Sequence, residues 1–155
     1  MAQNQNQFAL TPEKGQCDLI PQPSTISVQF DPAGSGTLVP GQAVKNSNVT
    51  GVGVPKVIPC TADTDDVYGF VNFDIKKNSY VPGDYLEISA FRGNVLYLEA
   101  TAAISANVPF MIVITGQKIA LATTGKTVCG RTVDKATAAG QYIRCYVDLP
   151  GAASA

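Results

Sequence analysis

The chain has 155 residues, of which 45% are hydrophobic and 15% charged, and its formal net charge is −1 at neutral pH. A compact chain near this length buries about 70% of its unfolded surface, so one domain with a sizeable core is expected and wholesale disorder is excluded. The charge balance supplies no concentrated cationic field for nucleic acid, and no apolar run reaches the length of a membrane span.

Met1 to Leu10 has neither a basic n-region nor an apolar h-region, so no signal peptide is expected and synthesis in a cytosol is the default. Residues 1–25 read as an extended N-terminal arm. Ala2 to Gln7 is a polar tract, and Pro12, Pro21 and Pro23 block helix and central strand. Phe8, Leu10, Leu19 and Ile20 punctuate this arm with apolar side chains. Two readings stand side by side: the arm tucks onto its own domain, or it orders on a partner.

Residues 26–150 read as the domain. Ile26 to Phe30 alternates with period two, as a half-buried strand does. Asp31 to Gly36 breaks it, Leu38 to Val44 follows, and Asn46 to Gly53 is a loop by composition. Lys56 to Cys60 is a short strand in which Pro59 marks an edge or an end, and Ala62 to Asp66 is an acidic loop. Strands are predicted at 67–74, 84–91 and 94–100, with Gly93-Asn94 signalling a tight hairpin turn. Thr101 to Ala106 supports at most a helical turn. Further strands are predicted at 108–115, 117–123, 127–134 and 141–149, and residues 151–155 as a frayed tail. Short, regularly spaced strands without an amphipathic helix predict an all-β fold, an antiparallel barrel or sandwich. The predicted core comprises Val71, Phe73, Leu86, Ile88, Leu96, Leu98, Ile112, Ile114, Val133, Ile143 and Val147.

One segment is written twice. Val67-Tyr68-Gly69-Phe70-Val71 leads through a turn to Gly83-Asp84-Tyr85-Leu86, and Thr127-Val128-Cys129-Gly130-Arg131-Thr132 leads to Gly140-Gln141-Tyr142-Ile143. Each copy runs strand, glycine, strand, turn, Gly-polar-Tyr-aliphatic, strand. The echo extends upstream, where Val39 to Val44 and Asn107 to Val113 each launch a strand from an X-Pro element. Two similar hairpin units closing one barrel would satisfy edges that each leaves open.

Motifs for chemistry fail on their own terms. Thr123-Thr124-Gly125-Lys126-Thr127 resembles the end of a phosphate loop, but Ala120 stands where the first glycine belongs and no helix follows. Gly51-Val52-Gly53 runs into Pro55, not a helix. The chain has no histidine, the commonest base beside a nucleophile. Asp63, Asp65 and Asp66 lack the calcium-loop pattern. Cys17, Cys60, Cys129 and Cys145 show no Cys-x-x-Cys spacing, and buried free thiols are expected, although Cys129 and Cys145 could face each other across a hairpin. The six tyrosines suit strand faces and subunit contacts better than base stacking. No enzyme activity and no cofactor or metal is expected.

Pro82-Gly83-Asp84-Tyr85-Leu86-Glu87-Ile88 followed by Val95 to Pro109 resembles the small capsid cement or head-decoration proteins of tailed bacteriophages, as do Thr123 to Arg131 and Ala136 to Arg144. The resemblance covers about residues 67–149, and the Pro-rich arm and the Asn46–Gly53 loop depart from it. It implies a non-enzymatic virion protein, made in the host cytoplasm, that docks on the major capsid protein of an assembled shell and bridges neighbouring subunits. It also implies a homo-trimer, with a dimer as the alternative, and neither nucleic acid nor membrane as a partner. The arm residues Phe8, Leu10, Leu19 and Ile20 are the candidate capsid contacts on composition alone. The competing expectation is a carbohydrate-binding or adhesive β-module, which the absence of Trp disfavours.

Overall fold

The computed structural model describes residues 14–15, 25–47, 53–90, 94–114 and 117–149, and among them every regular element is a strand. The strands β1 (Ile26–Phe30), β2 (Ala43–Asn46), β3 (Lys56–Pro59), β4 (Gly69–Val71) and β5 (Tyr85–Ser89) form a closed barrel in the order β1-β3-β2-β4-β5. The strands β6 (Val95–Glu99), β7 (Pro109–Val113), β8 (Lys118–Leu121), β9 (Gly130–Thr132) and β10 (Tyr142–Val147) form a second sheet in the order β6-β10-β9-β7-β8. The protein is all-β.

Laid over the first sheet, the second repeats it strand for strand. Val44 pairs with Gly69 and Phe110 with Gly130; Val71 pairs with Ile88 and Thr132 with Cys145; Val28 pairs with Leu86 and Leu98 with Ile143. Phe30 meets Val57 in parallel, and Ala100 meets Ile119 in parallel through a single bridge. Even the flanking bridges match, Leu38 to Tyr80 in one unit and Ile104 to Ala136 in the other. The turn before β2 places Gly41 at φ +76°, and the turn before β7 places Asn107 at φ +59°. Their amides donate to the Val71 and Thr132 carbonyls at 2.7 and 2.8 Å.

Four expectations change. The two halves do not close one barrel between them: the first closes on itself, and the ends of the second meet at one bridge. Pairing is not wholly antiparallel, because β1 and β3 run parallel. The apolar runs on either side of Gly93-Asn94 are not partner strands: β5 pairs with β1 and β4 while β6 pairs with β10, so the runs belong to different units, and Gly93 itself lies outside the described residues. The segment from Thr101 to Ala106 carries a bridge at Ile104 and no helical turn.

The glycine shared by both copies has a steric cause. A Cβ on Gly130 would lie 1.9 Å from the Tyr146 carbonyl oxygen, and one on Gly69 would lie 3.0 Å from that of Ser89. At Gly130 only glycine lets β9 approach β10 so closely, while at Gly69 an added Cβ would crowd the Ser89 carbonyl and the Ile88 side chain.

Val28, Phe30, Leu38, Val44, Val57, Val71, Leu86 and Ile88 fill the first barrel. The interior of the second unit includes Leu96, Leu98, Phe110, Ile112, Ile119, Ile143, Cys145 and Val147. Of the predicted core, Val133 is 41% exposed and Phe73 and Ile114 are only partly buried. Gly130 and Thr132 are buried and Arg131 is exposed, so alternation turns Val133 outward with Arg131, one residue off the face assigned to it.

Alternation also explains how the units adhere. Val44 and Val71 point into the first barrel, so their neighbours Ala43 and Phe70 point out of it, and both join the core cluster of the second unit. The Phe70 and Phe110 rings lie 6.4 Å apart, tilted by 49°, within the range of favourable aromatic pairs. The place of Phe70 is taken in the second unit by Arg131, which faces solvent. At this matched position the outward side chain is apolar where it meets the other unit and charged where it meets solvent. Phe70→Ala is expected to lower unfolding free energy by about 3–5 kcal/mol, whereas Arg131→Ala at the matching place costs less than about 1 kcal/mol. Urea denaturation of the two variants measures both.

Candidate functional site

Most carboxylates near candidate chemistry serve the turns. Asp65 accepts the Thr61 and Ala62 amides at 2.7 and 3.0 Å and the Lys45 ammonium at 2.9 Å. Asp84 accepts the Val81 amide at 2.7 Å and Lys77 at 2.6 Å. At the matching turn of the second unit, Gln141 accepts the Thr137 amide at 2.7 Å, so the same local bond is made without charge. Asp31 accepts from Ser47 and Ala33, and Asp134 takes Arg144 through two nitrogens at 2.9 Å each.

The acidic loop does not converge on a point. Asp63 accepts the Ile114 amide at 3.1 Å, linking the loop to β7, while Asp65 turns back on its own loop. No three His, Cys, Asp or Glu side chains gather for a metal among the described residues. Glu87 on β5 accepts the hydroxyls of Thr25 and Ser27, and Glu99 on β6 pairs with Lys118 at 2.5 Å, so these carboxylates belong to separate units. Glu87 and Arg144 hold equivalent places in the repeat with opposite charge. Thr123 to Lys126 is a turn closed by the Lys126 amide on the Thr123 carbonyl at 3.2 Å. Lys77 lies 5.3 Å over the Tyr80 ring.

Cys60, Cys129 and Cys145 are free and buried. Cys145 faces Thr132 across the ladder, not Cys129. Burial pushes the Cys60 and Cys129 thiols up to about 12 and that of Cys145 higher still, which leaves negligible thiolate at neutral pH. Cys17 lies outside the described residues.

What remains for contact is a set of rings and aliphatic side chains. Tyr85 is 65% exposed and Tyr142 39%, and they occupy the same place in the two units. Tyr146 is also exposed, as are Val81 and Leu121, whereas Tyr80 is buried. The Gly-polar-Tyr-aliphatic echo in the sequence announced the paired tyrosines. Phe8, Leu10, Leu19 and Ile20 lie outside the described residues. Between them, Lys14–Gly15 is described: the Gly15 amide donates to the Tyr97 carbonyl at 2.8 Å, and the Phe73 amide donates to the Gly15 carbonyl at 3.0 Å. Composition gives no signal for that docking, because both bonds use backbone groups. No family model matches the chain, and no curated protein matches it. No helix among the described residues is long and apolar enough to cross a membrane.

Two outcomes follow from the titrating groups. Ser47 holds Asp31 below the ordinary carboxylate range, Lys77 does so for Asp84 and Arg144 for Asp134. Burial pushes Asp65 up, but the Thr61 and Ala62 amides and Lys45 together outweigh it and leave its pKa lowered. Depressed folded pKa values contribute stability above the ordinary Asp value near about pH 4, and that stability is lost as pH falls through the folded values. The urea midpoint is therefore expected to fall on acidification below about pH 4, with a shallower fall in Asp65→Asn. At pH 8, iodoacetamide is expected to leave Cys60, Cys129 and Cys145 unmodified in the native protein and to modify all three in guanidinium, as read by mass spectrometry.

Proposed function

We propose that this chain is a head-decoration protein: a virion structural protein that binds the outer surface of an assembled icosahedral phage capsid and bridges neighbouring capsid subunits. The observation that carries the reading is a scaffold laid down twice, with exposed Tyr85 and Tyr142 at matching places and most of the described carboxylates and the described thiols engaged in turns, ion pairs and core. A doubled scaffold offers repeated contacts, and an exposed ring covers apolar area on a partner while its hydroxyl finds a hydrogen bond. Low charge suits such a surface, since desolvating charge at an interface is costly. Self-association into a homo-trimer multiplies weak footprints into a firm hold.

In this reading the arm supplies the main attachment. Phe8 and Leu10 precede the docked Lys14–Gly15, and Leu19 and Ile20 follow it. Each apolar side chain buried on a neighbour contributes roughly 1.5–3 kcal/mol before ordering costs. The exposed tyrosines also suit a carbohydrate-binding or adhesive module, in which they would stack on sugar.

The test adds purified protein to expanded capsids that lack it. Binding with a raised capsid melting temperature is expected. Removing residues 2–13, which spares Lys14–Gly15, is expected to leave the protein's own melting unchanged while capsid occupancy falls at least about tenfold. Failure of the full-length protein to bind would overturn the reading, and glycan binding abolished by Tyr85→Ala with Tyr142→Ala would favour the module.

A further inference from the structure

We infer that Lys14–Gly15 is a clasp that locks the two β-units into one body, and that positions 15 and 41 are glycine because this clasp crosses there.

Gly15 spends its two backbone groups on different units. Its amide goes to Tyr97 on β6, in the second unit, and its carbonyl receives the amide of Phe73, just past β4 in the first. The Tyr97 carbonyl lies on the edge of β6 that meets β8, where the parallel seam consists of the one bridge between Ala100 and Ile119. The matching seam of the first unit has two registered pairs, Gln29 with Lys56 and Phe30 with Val57. The clasp thus sits where the second unit is least closed.

Steric room is the second line. A Cβ on Gly15 would lie 2.3 Å from the Gly41 nitrogen, 2.7 Å from the Val71 carbonyl oxygen and 2.9 Å from the Pro40 carbonyl carbon. All three are backbone atoms of the first barrel and cannot swing aside. A Cβ on Gly41 would in turn lie 2.4 Å from Lys14 Cγ. Two glycines therefore abut where the strap crosses the turn.

The repeat supplies an internal control. The turn that holds Gly41 in the first unit holds Asn107 in the second, with the same left-handed backbone and the same amide-to-carbonyl bond. That turn accepts a side chain. Glycine at 41 is required by the strap lying on it, not by the turn itself. Lys14 extends the contact: its Cγ is the atom nearest a Cβ added at Gly41, and burial lowers its pKa against the opposing effect of Glu99.

The test uses full-length protein and amide hydrogen exchange. The reporters are the Gly15 and Phe73 amides, whose acceptors lie across the clasp, with the Val71 amide inside the first barrel as reference. In the wild type both reporters are expected to be protected. Gly41→Asn installs the residue that the matching turn already carries, so the turn is kept and the strap is wedged. Exchange at the two reporters is expected to rise by roughly tenfold or more while Val71 stays protected. Gly15→Ala is expected to do the same and to split thermal unfolding into two steps. Gly125→Ala is the control for left-handed strain, since Gly125 has φ +80° and nothing within 4 Å of an added Cβ; it is expected to leave the reporters unchanged. Unprotected reporters in the wild type, or reporters unmoved by Gly41→Asn, would overturn the inference. Should Gly15→Ala fail to fold, Gly41→Asn decides alone.

Discussion

Closure of strand edges is the constraint on which the rest of this structure depends. The strands are only 3 to 6 residues long, and the chain carries too little charge to guard open edges with lysine. Each unit therefore returns its last partner to its first. In the first unit β1 reaches β3 in parallel, which requires the chain to cross by way of β2 before pairing. In the second the same return is made by one bridge, and a piece of the N-terminal segment bonds to the neighbouring part of the edge. Edge closure also sets the glycines: Gly69 and Gly130 sit where strands crowd.

Once the backbone is closed, polar side chains are drawn into fixing the turns between strands. Asp65, Asp84 and Asp134 cap or cross-link turns, and Gln141 performs the office of Asp84 without ionising. That substitution separates geometry from charge: the turn needs an acceptor at that place, and the unit tolerates either kind. Burial of the thiols has the opposite sense, since Cys145 takes the place of Ile88 and acts as a small hydrophobe.

The sequence makes β4, β5, β9 and β10 legible because glycine and tyrosine recur at fixed places around turns. It hides the kinship of β1 and β6. Ile26-Ser27-Val28-Gln29-Phe30 and Val95-Leu96-Tyr97-Leu98-Glu99 share only alternation, and alternation reports a face, not a partner. Gly93-Asn94 misled because turn chemistry is local and says nothing about which strands pair afterwards. Val133 was assigned to the core on the wrong face of β9, because alternation along the strand does not by itself say which face is buried. The paired exposed tyrosines were readable as an echo, whereas their exposure depends on which strand face is turned outward, a tertiary fact. The docking of Gly15 leaves no trace in composition because hydrogen alone occupies its side-chain position.

Glu87 and Arg144 at matching places bear on how such a chain avoids folding wrongly. Two units of identical topology in one polypeptide offer each strand a decoy partner, and exchange between repeats is a known failure of tandem architectures. Were β10 to replace β5 beside β1, Arg144 would face the hydroxyls of Thr25 and Ser27 that now donate to Glu87, and those donors would lose their acceptor. Were β5 to replace β10 beside β6, Asp134 would lose its two guanidinium bonds from Arg144 and face Glu87. Either exchange sets donor against donor or anion against anion, so divergence between the copies works as an address that sends each strand to its own unit.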